Sequence, residues 1–133
     1  MIIYIGLVVS SFFAVLFIGL GLPLYFKKIG RNYFYGYRIS HYAMLDEDIW
    51  YAVNQQGGRH LIIMGSLLAG NALFAWLFIG QIKIQGIILN IDALIVLIGF
   101  IYSGVRGAHL NNQLAEAKGL KNNLAPKNYY KVS

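Results

Sequence analysis

The chain has 133 residues, no cysteine, 58% apolar residues and only 12% charged ones, with a formal charge of +6. That charge content is about half the usual share, too little to cover the surface of a water-soluble fold of this size, and the missing cysteines remove disulfides, thiolate metal sites and cysteine nucleophiles. The length suits one domain, and the positive residues flank apolar runs instead of forming a contiguous stripe, which points to anionic lipid headgroups and away from nucleic acid.

Residues 2–26 form the first apolar run, uncharged throughout. At about 1.5 Å per residue it crosses a hydrocarbon core of roughly 30 Å. A cleavable signal peptide fits poorly, because no positive segment follows Met1, the run is too long, and no A-x-A site precedes Lys27 and Lys28. The glycines of Gly19-Leu20-Gly21-Leu22-Pro23 lack a following Lys-Ser/Thr and make no phosphate cradle. Pro23 is expected to loosen the end of this helix and bend the chain into the loop.

Residues 27–60 form a loop rich in aromatics: Tyr33, Phe34, Tyr35, Tyr37, Tyr42, Trp50 and Tyr51. Asp46-Glu47-Asp48, followed by Ile49, Trp50, Ala52 and Val53, reads as a helix start, since acids favour the positive end of the helix dipole. Gly57-Gly58 is expected to end that helix after about three turns, leaving it on the membrane surface with Ile49, Trp50 and Val53 directed inward.

The second run, 61–82, is interrupted only by Asn71 and Gln81, and the third, 84–105, holds Asn90 and Asp92. A tight hairpin around Gln81, Lys83 and Gln85 should join them. Starting the third helix after Asp92 would leave it too short to span, so Asp92 belongs inside the membrane. The predicted fold is therefore all-α, an integral membrane protein with three transmembrane helices and a short interfacial helix in the loop. Residues 1–106 form the membrane domain and 107–133 a basic tail.

Direction follows from the basic residues. Lys27, Lys28, Arg31, Arg38 and Arg59 lie in the loop, and Arg106, Lys118, Lys121, Lys127 and Lys131 lie after the third span; Lys83 stands alone on the other side. The expectation is an N-terminus outside and a C-terminus in the cytoplasm. Tyr4 then sits near one interface and Tyr25, Phe26 and Tyr102 near the other, as aromatic anchors do. Small residues at four-residue spacing (Gly6, Ser10, Ala14; Gly65 with Ala69; Ser66 with Gly70; Gly99, Ser103, Gly107) let helices approach closely, and internal packing is favoured over an oligomer seam.

Within the loop, Asn32, Gly36-Tyr37-Arg38, then Asp46-Glu47, Trp50, Ala52 and Asn54, followed by glycines and a second span, resemble the signature of the SdpI family of small membrane proteins. Members read as asparagine, then G-Y-R-T-P, a spacer, N-E-x-x-W and A-N before the next helix. Here Ile39-Ser40 replaces Thr-Pro, Asp46 replaces the asparagine of N-E, and the spacer is one residue longer. The resemblance covers roughly residues 20–105. It implies a non-enzymatic protein of the bacterial cytoplasmic (inner) membrane that acts by binding. Its best-known member protects its cell against a secreted peptide toxin and holds a repressor at the membrane. An accessory subunit of a larger membrane complex is the alternative, with other membrane subunits, a peptide ligand and the bilayer itself as partners.

Two polar constellations stand out. Arg38 with Asp46, Glu47 or Asp48 could clasp the loop by a bidentate pair, against the plainer reading of solvated charges. Asp92 lies about 12 Å into its helix and Asn71 roughly 16 Å into its own, so the two can meet. A lone carboxylate at that depth costs about 2.5–3.5 kcal/mol, so it should be neutralised, paired or wet. An Asp92–Asn71 hydrogen bond, docking to another subunit, and a proton or ion relay are the readings that remain. His41 and His60 have the ligand chemistry for zinc but a spacing that matches no compact motif, and His109 reads likewise as an interface histidine. No metal or cofactor is expected.

Overall fold

The computed structural model describes residues 4–32, 34–37 and 41–120, with His41 through its backbone alone. Among these residues the chain forms four helices: α1 (Ile5–Tyr25), α2 (His41–Leu45), α3 (Glu47–Leu77) and α4 (Ile82–Ala117). Three of them, α1, α3 and α4, are long and apolar enough to cross a membrane. Side chains such as Val15, Phe12, Leu97, Ile98 and Val105 point outward from all sides of the bundle, and only a bilayer accommodates that much exposed apolar surface. The protein is an all-α, three-span membrane protein with one short helix, α2, in the loop.

The three long helices run antiparallel in sequence order, and α1 lies along α3 over most of its length while touching α4 lightly. Small residues make this approach possible. A methyl group on Gly21 would come within 2.8 Å of the Gly58 carbonyl, one on Gly58 within 2.6 Å of the Gly21 carbonyl, and one on Gly65 within 2.9 Å of the Ala14 carbonyl. The inward small residues Gly6, Ser10, Ala14, Gly65, Ser103 and Gly107 are all buried, whereas Ser66, Ala69 and Gly70 face outward.

Helix α1 ends more sharply than its proline suggests. Pro23 stays inside the helix. The bend comes at Lys27, whose φ is 55°, with Lys27 N–H donating to Leu24 O at 3.2 Å and Lys28 N–H to Pro23 O at 2.9 Å. These two bonds close a Schellman motif and satisfy carbonyls that the helix end leaves free.

The glycine pair does not end the loop helix. Residues 46–57 are the first turns of α3, which passes through Gly57 and Gly58 without a break for 31 residues, roughly 46 Å. Glycine within a helix costs about 1 kcal/mol relative to alanine, and here close packing on both glycines offsets it. This segment therefore continues the second span as one helix past the end of α1. α4 likewise continues through Gly107, so the expected tail begins as 11 further residues of helix, to Ala117. The two extensions form a stem beyond the end of α1. Its core is Ala43, Ile49, Trp50, Val53 and Ala115, all fully buried. The inward set Ile49, Trp50 and Val53 is as the sequence pattern indicates.

At the opposite end the turn spans residues 78–81, with Gly80 at φ 95°. It falls earlier than the polar residues suggest, so Lys83 and Gln85 are already in α4. Gln85 is 1% exposed, and its Nε2 donates to Ala75 O at 2.8 Å and Phe78 O at 3.3 Å. An amide buried beside α3's last turn thus supplies the donors its terminal carbonyls lack.

Candidate functional site

The loop folds onto the stem through the residues of the Gly-Tyr and Trp-x-x-x-Asn segments. Asn32 starts the arrangement: its Oδ1 accepts from Phe34 N at 2.9 Å and Tyr35 N at 2.7 Å, while its Nδ2 donates to Gly30 O at 2.8 Å. Such side-chain bonds fix a turn without regular structure. Tyr35 then donates its hydroxyl to Leu20 O on α1.

Gly36 follows at φ 122°, a conformation L-residues avoid. A methyl there would also meet Asn54 Oδ1 at 2.6 Å and the Trp50 ring at 3.0 Å. Both constraints call for glycine. Tyr37 N donates to Asn54 Oδ1 at 2.6 Å, and Asn54 Nδ2 donates to Trp50 O at 2.9 Å. The Trp50 indole Nε1–H reaches Ile29 O at 3.0 Å. Trp50 and Asn54 lie one turn apart on α3, so a single helix face holds both ends of the loop.

The Tyr37 ring covers Gly57, where a methyl would come within 2.3 Å of it. Its hydroxyl accepts from Ser103 Oγ at 3.1 Å, and Ser103 in turn pairs with His60 Nδ1 at 3.1 Å. Loop, α3 and α4 are joined by this chain of three side chains. Burial pushes the Tyr37 phenol above its usual range, partly opposed by the Ser103 hydrogen bond.

Arg38 lies outside the described residues, so the clasp expected of it falls there too. Asp46 caps α3, accepting from Ile49 N at 3.0 Å. The cation that Asp46 and Asp48 meet is Lys118, from just past α4, at 2.7 Å from each. The Lys118 ammonium holds the Asp46 carboxyl below its ordinary value, with the Ile49 N–H adding to the effect. The two carboxylates, Asp46 first, raise Lys118 in return. Glu47 is exposed in the first turn of α3.

The sequence of residues 28–103 matches the profile of the SdpI/YfhL protein family, which is more than half of the chain. The chain belongs to the SdpI/YfhL protein family. No curated protein and no solved structure matches it. The family match begins just past α1 and ends within α4, so it takes in the whole loop from Ile29 to Asn54 and the Ser103 to which Tyr37 is tied. Lys118 falls beyond the matched region.

A second polar cluster sits inside the bundle. Asp92 on α4 is 4% exposed and accepts from Asn71 Nδ2 of α3 at 2.8 Å and from Ser10 Oγ of α1. Gly6 O, at 2.8 Å from Ser10 Oγ, is the alternative acceptor for its one proton. The internal Asp92–Asn71 bond read from helix depth is present, and Ser10, visible in the sequence only as a small packing residue, is its third member. Among the described residues no group of three His, Asp or Glu side chains is placed to hold a metal ion.

Proposed function

We propose that this protein works by binding, through the loop end of its bundle, and that it catalyses no reaction. In this reading it either confers immunity to a membrane-active peptide or recruits a cytoplasmic partner. It sits in the bacterial inner membrane with the loop and C-terminus inside. The supporting observation is the shape of the family-matched loop: Asn32 fixes its first turn through Gly30, Phe34 and Tyr35, while Gly36, Tyr37, Trp50 and Asn54 hold one another, and Phe34 is left 95% exposed. A fixed scaffold that holds an aromatic outward is suited to recognition. The orientation rests on the lone basic residue at the hairpin end, Lys83, against the basic residues of the loop and the end of α4.

A second reading, an accessory subunit of a larger membrane complex, draws on the outward Ser66, Ala69 and Gly70 of α3; a side chain at Gly70 would meet nothing within 4 Å. Purification of the tagged protein in gentle detergent, with identification of co-eluting chains, tests both, alongside challenge of a deletion strain with membrane-active peptides. Sensitivity on deletion, or a soluble protein recovered in stoichiometric amount, supports the binding reading. A fixed set of membrane subunits selects the second. A strain with unchanged tolerance and a protein purified alone contradict both.

A further inference from the structure

The seam between α3 and α4 opens into a groove on the bilayer side, about 360 Å³ in volume and almost wholly apolar, walled by Ile63 and Leu67 on one side and Ile91, Leu94 and Ile98 on the other. Met64 forms its floor, lying across Gly99, where any side chain would collide with it. At the loop end of the groove the chemistry changes. The His60 and Tyr102 rings meet at a tilt of 54°, their centroids 5.1 Å apart. Arg59 directly precedes His60 on α3, and Arg106 lies one helical turn beyond Tyr102 on α4, so both helices bring a guanidinium group to this end of the seam. Both are exposed and neither is in a salt bridge to a carboxylate among the described residues. Arg59 also lines a second recess of about 540 Å³, together with Tyr25, Ala52, Gln55, Gln56 and Leu110.

We infer that this seam is a binding site for one anionic glycerophospholipid, with an acyl chain in the groove and the phosphate between Arg59 and Arg106. The order of chemistries along the seam is that of a phospholipid in the leaflet at the loop end: hydrocarbon wall, then the His60–Tyr102 pair, then two cations. Charge complementarity selects the anionic head, because Arg59 and Arg106 are exposed with no salt bridge among the described residues, and arginine matches phosphate oxygens in a two-pronged geometry. Of the described carboxylates, Asp92 is in the bundle, Asp46 and Asp48 are bound to Lys118, Glu47 is in the first turn of α3 and Glu116 in the last turn of α4. The inference rests on the three-span architecture and is independent of what the loop binds.

The test is native mass spectrometry of the protein released from bilayers of equal parts phosphatidylglycerol and phosphatidylcholine. The expected result is one retained phosphatidylglycerol per chain. The pair Arg59→Gln and Arg106→Gln should reduce that adduct at least tenfold. Ile98→Trp, grown from a rim position that is 61% exposed and so tolerant of size, should fill the groove and displace the lipid, with helical content by circular dichroism unchanged. Equal retention of both lipids, or an adduct that survives the arginine substitutions, overturns the proposal. So does a dimer that Ile98→Trp dissociates, since the groove would then belong to a second copy.

Discussion

Asn71 on α3 donates its side-chain amide to Asp92 on α4 at 2.8 Å, and the same carboxylate accepts the hydroxyl of Ser10 on α1. One buried acid therefore ties all three spans together. Interhelical hydrogen bonds in membranes contribute about 0.6 kcal/mol on average and about 1.7 at most. A donor left buried without its acceptor costs about 1–3 kcal/mol.

Asp92→Leu leaves the Asn71 amide without this acceptor, while Ser10 keeps Gly6 O, and it should lower the thermal midpoint of the detergent-solubilised protein by several degrees. Asp92→Asn keeps an acceptor at the same place and should stay near wild type in both stability and function. In a cycle with Asn71→Ala, the two losses should be less than additive, because each substitution removes the same bond. An Asp92→Asn variant that is fully assembled but inactive would assign the residue to a titratable relay and not to structure.

The turn at Gly36 is held by a φ of 122° and by the closeness of Asn54 and Trp50. Gly36→Ala should cost about 1–3 kcal/mol at this position and loosen the loop without disturbing insertion. Measured in a Trp76→Phe background, Trp50 emission should shift to longer wavelength, and residues 27–46 should become the preferred site of limited proteolysis. Unchanged emission would show that the indole is not packed beneath this turn.

Much of this was legible in the sequence, and what was not has physical causes. Span number, the cap at Asp46 and the meeting of Asn71 with Asp92 follow from hydropathy, residue type and a rise of about 1.5 Å per residue. Ser10 and Ser103 were hidden because a serine in an apolar helix reads equally as a small spacer and as a donor; only helix rotation decides. Gly57 and Gly58 read as a stop because their compensation comes from Tyr37 and from α1, which are far away in sequence. Lys118 was read as part of a basic tail, since nothing local shows that α4 continues far enough to bring it to Asp46.

That contact makes a pH and salt prediction. Asp46 is lowered from an ordinary value of 3.8, so its contribution is present above that value and is lost as pH falls through the lower, folded one. Lys118 is raised from 10.5, so its contribution is complete below that value and is lost as pH rises through the higher one. Amide protection factors over the last turns of α4, which are exchange rates corrected for their intrinsic pH dependence, should therefore stay constant across the neutral range and fall at strongly acidic pH. The pair is partly open to solvent, so high salt and Lys118→Ala should produce the same fraying at neutral pH. Exchange indifferent to both would leave the stem held by its apolar core alone.

The proposed orientation rests on the basic residues. Cysteine replacing Lys83 should react with an impermeant thiol reagent added to intact cells, and cysteine replacing Lys121 only after permeabilisation. Labelling of the Lys121→Cys protein in intact cells would invert the topology and move the loop outside.

The most direct test of the binding account is Phe34→Ala. Its residue is 95% exposed, so loss of the ring should leave the thermal midpoint and Trp50 emission as they are. Protection of a strain that depends on this protein, or recovery of its partner, should nevertheless fall at least tenfold. Full protection and full partner recovery from a correctly inserted Phe34→Ala protein would contradict the claim that the loop end is the recognition surface.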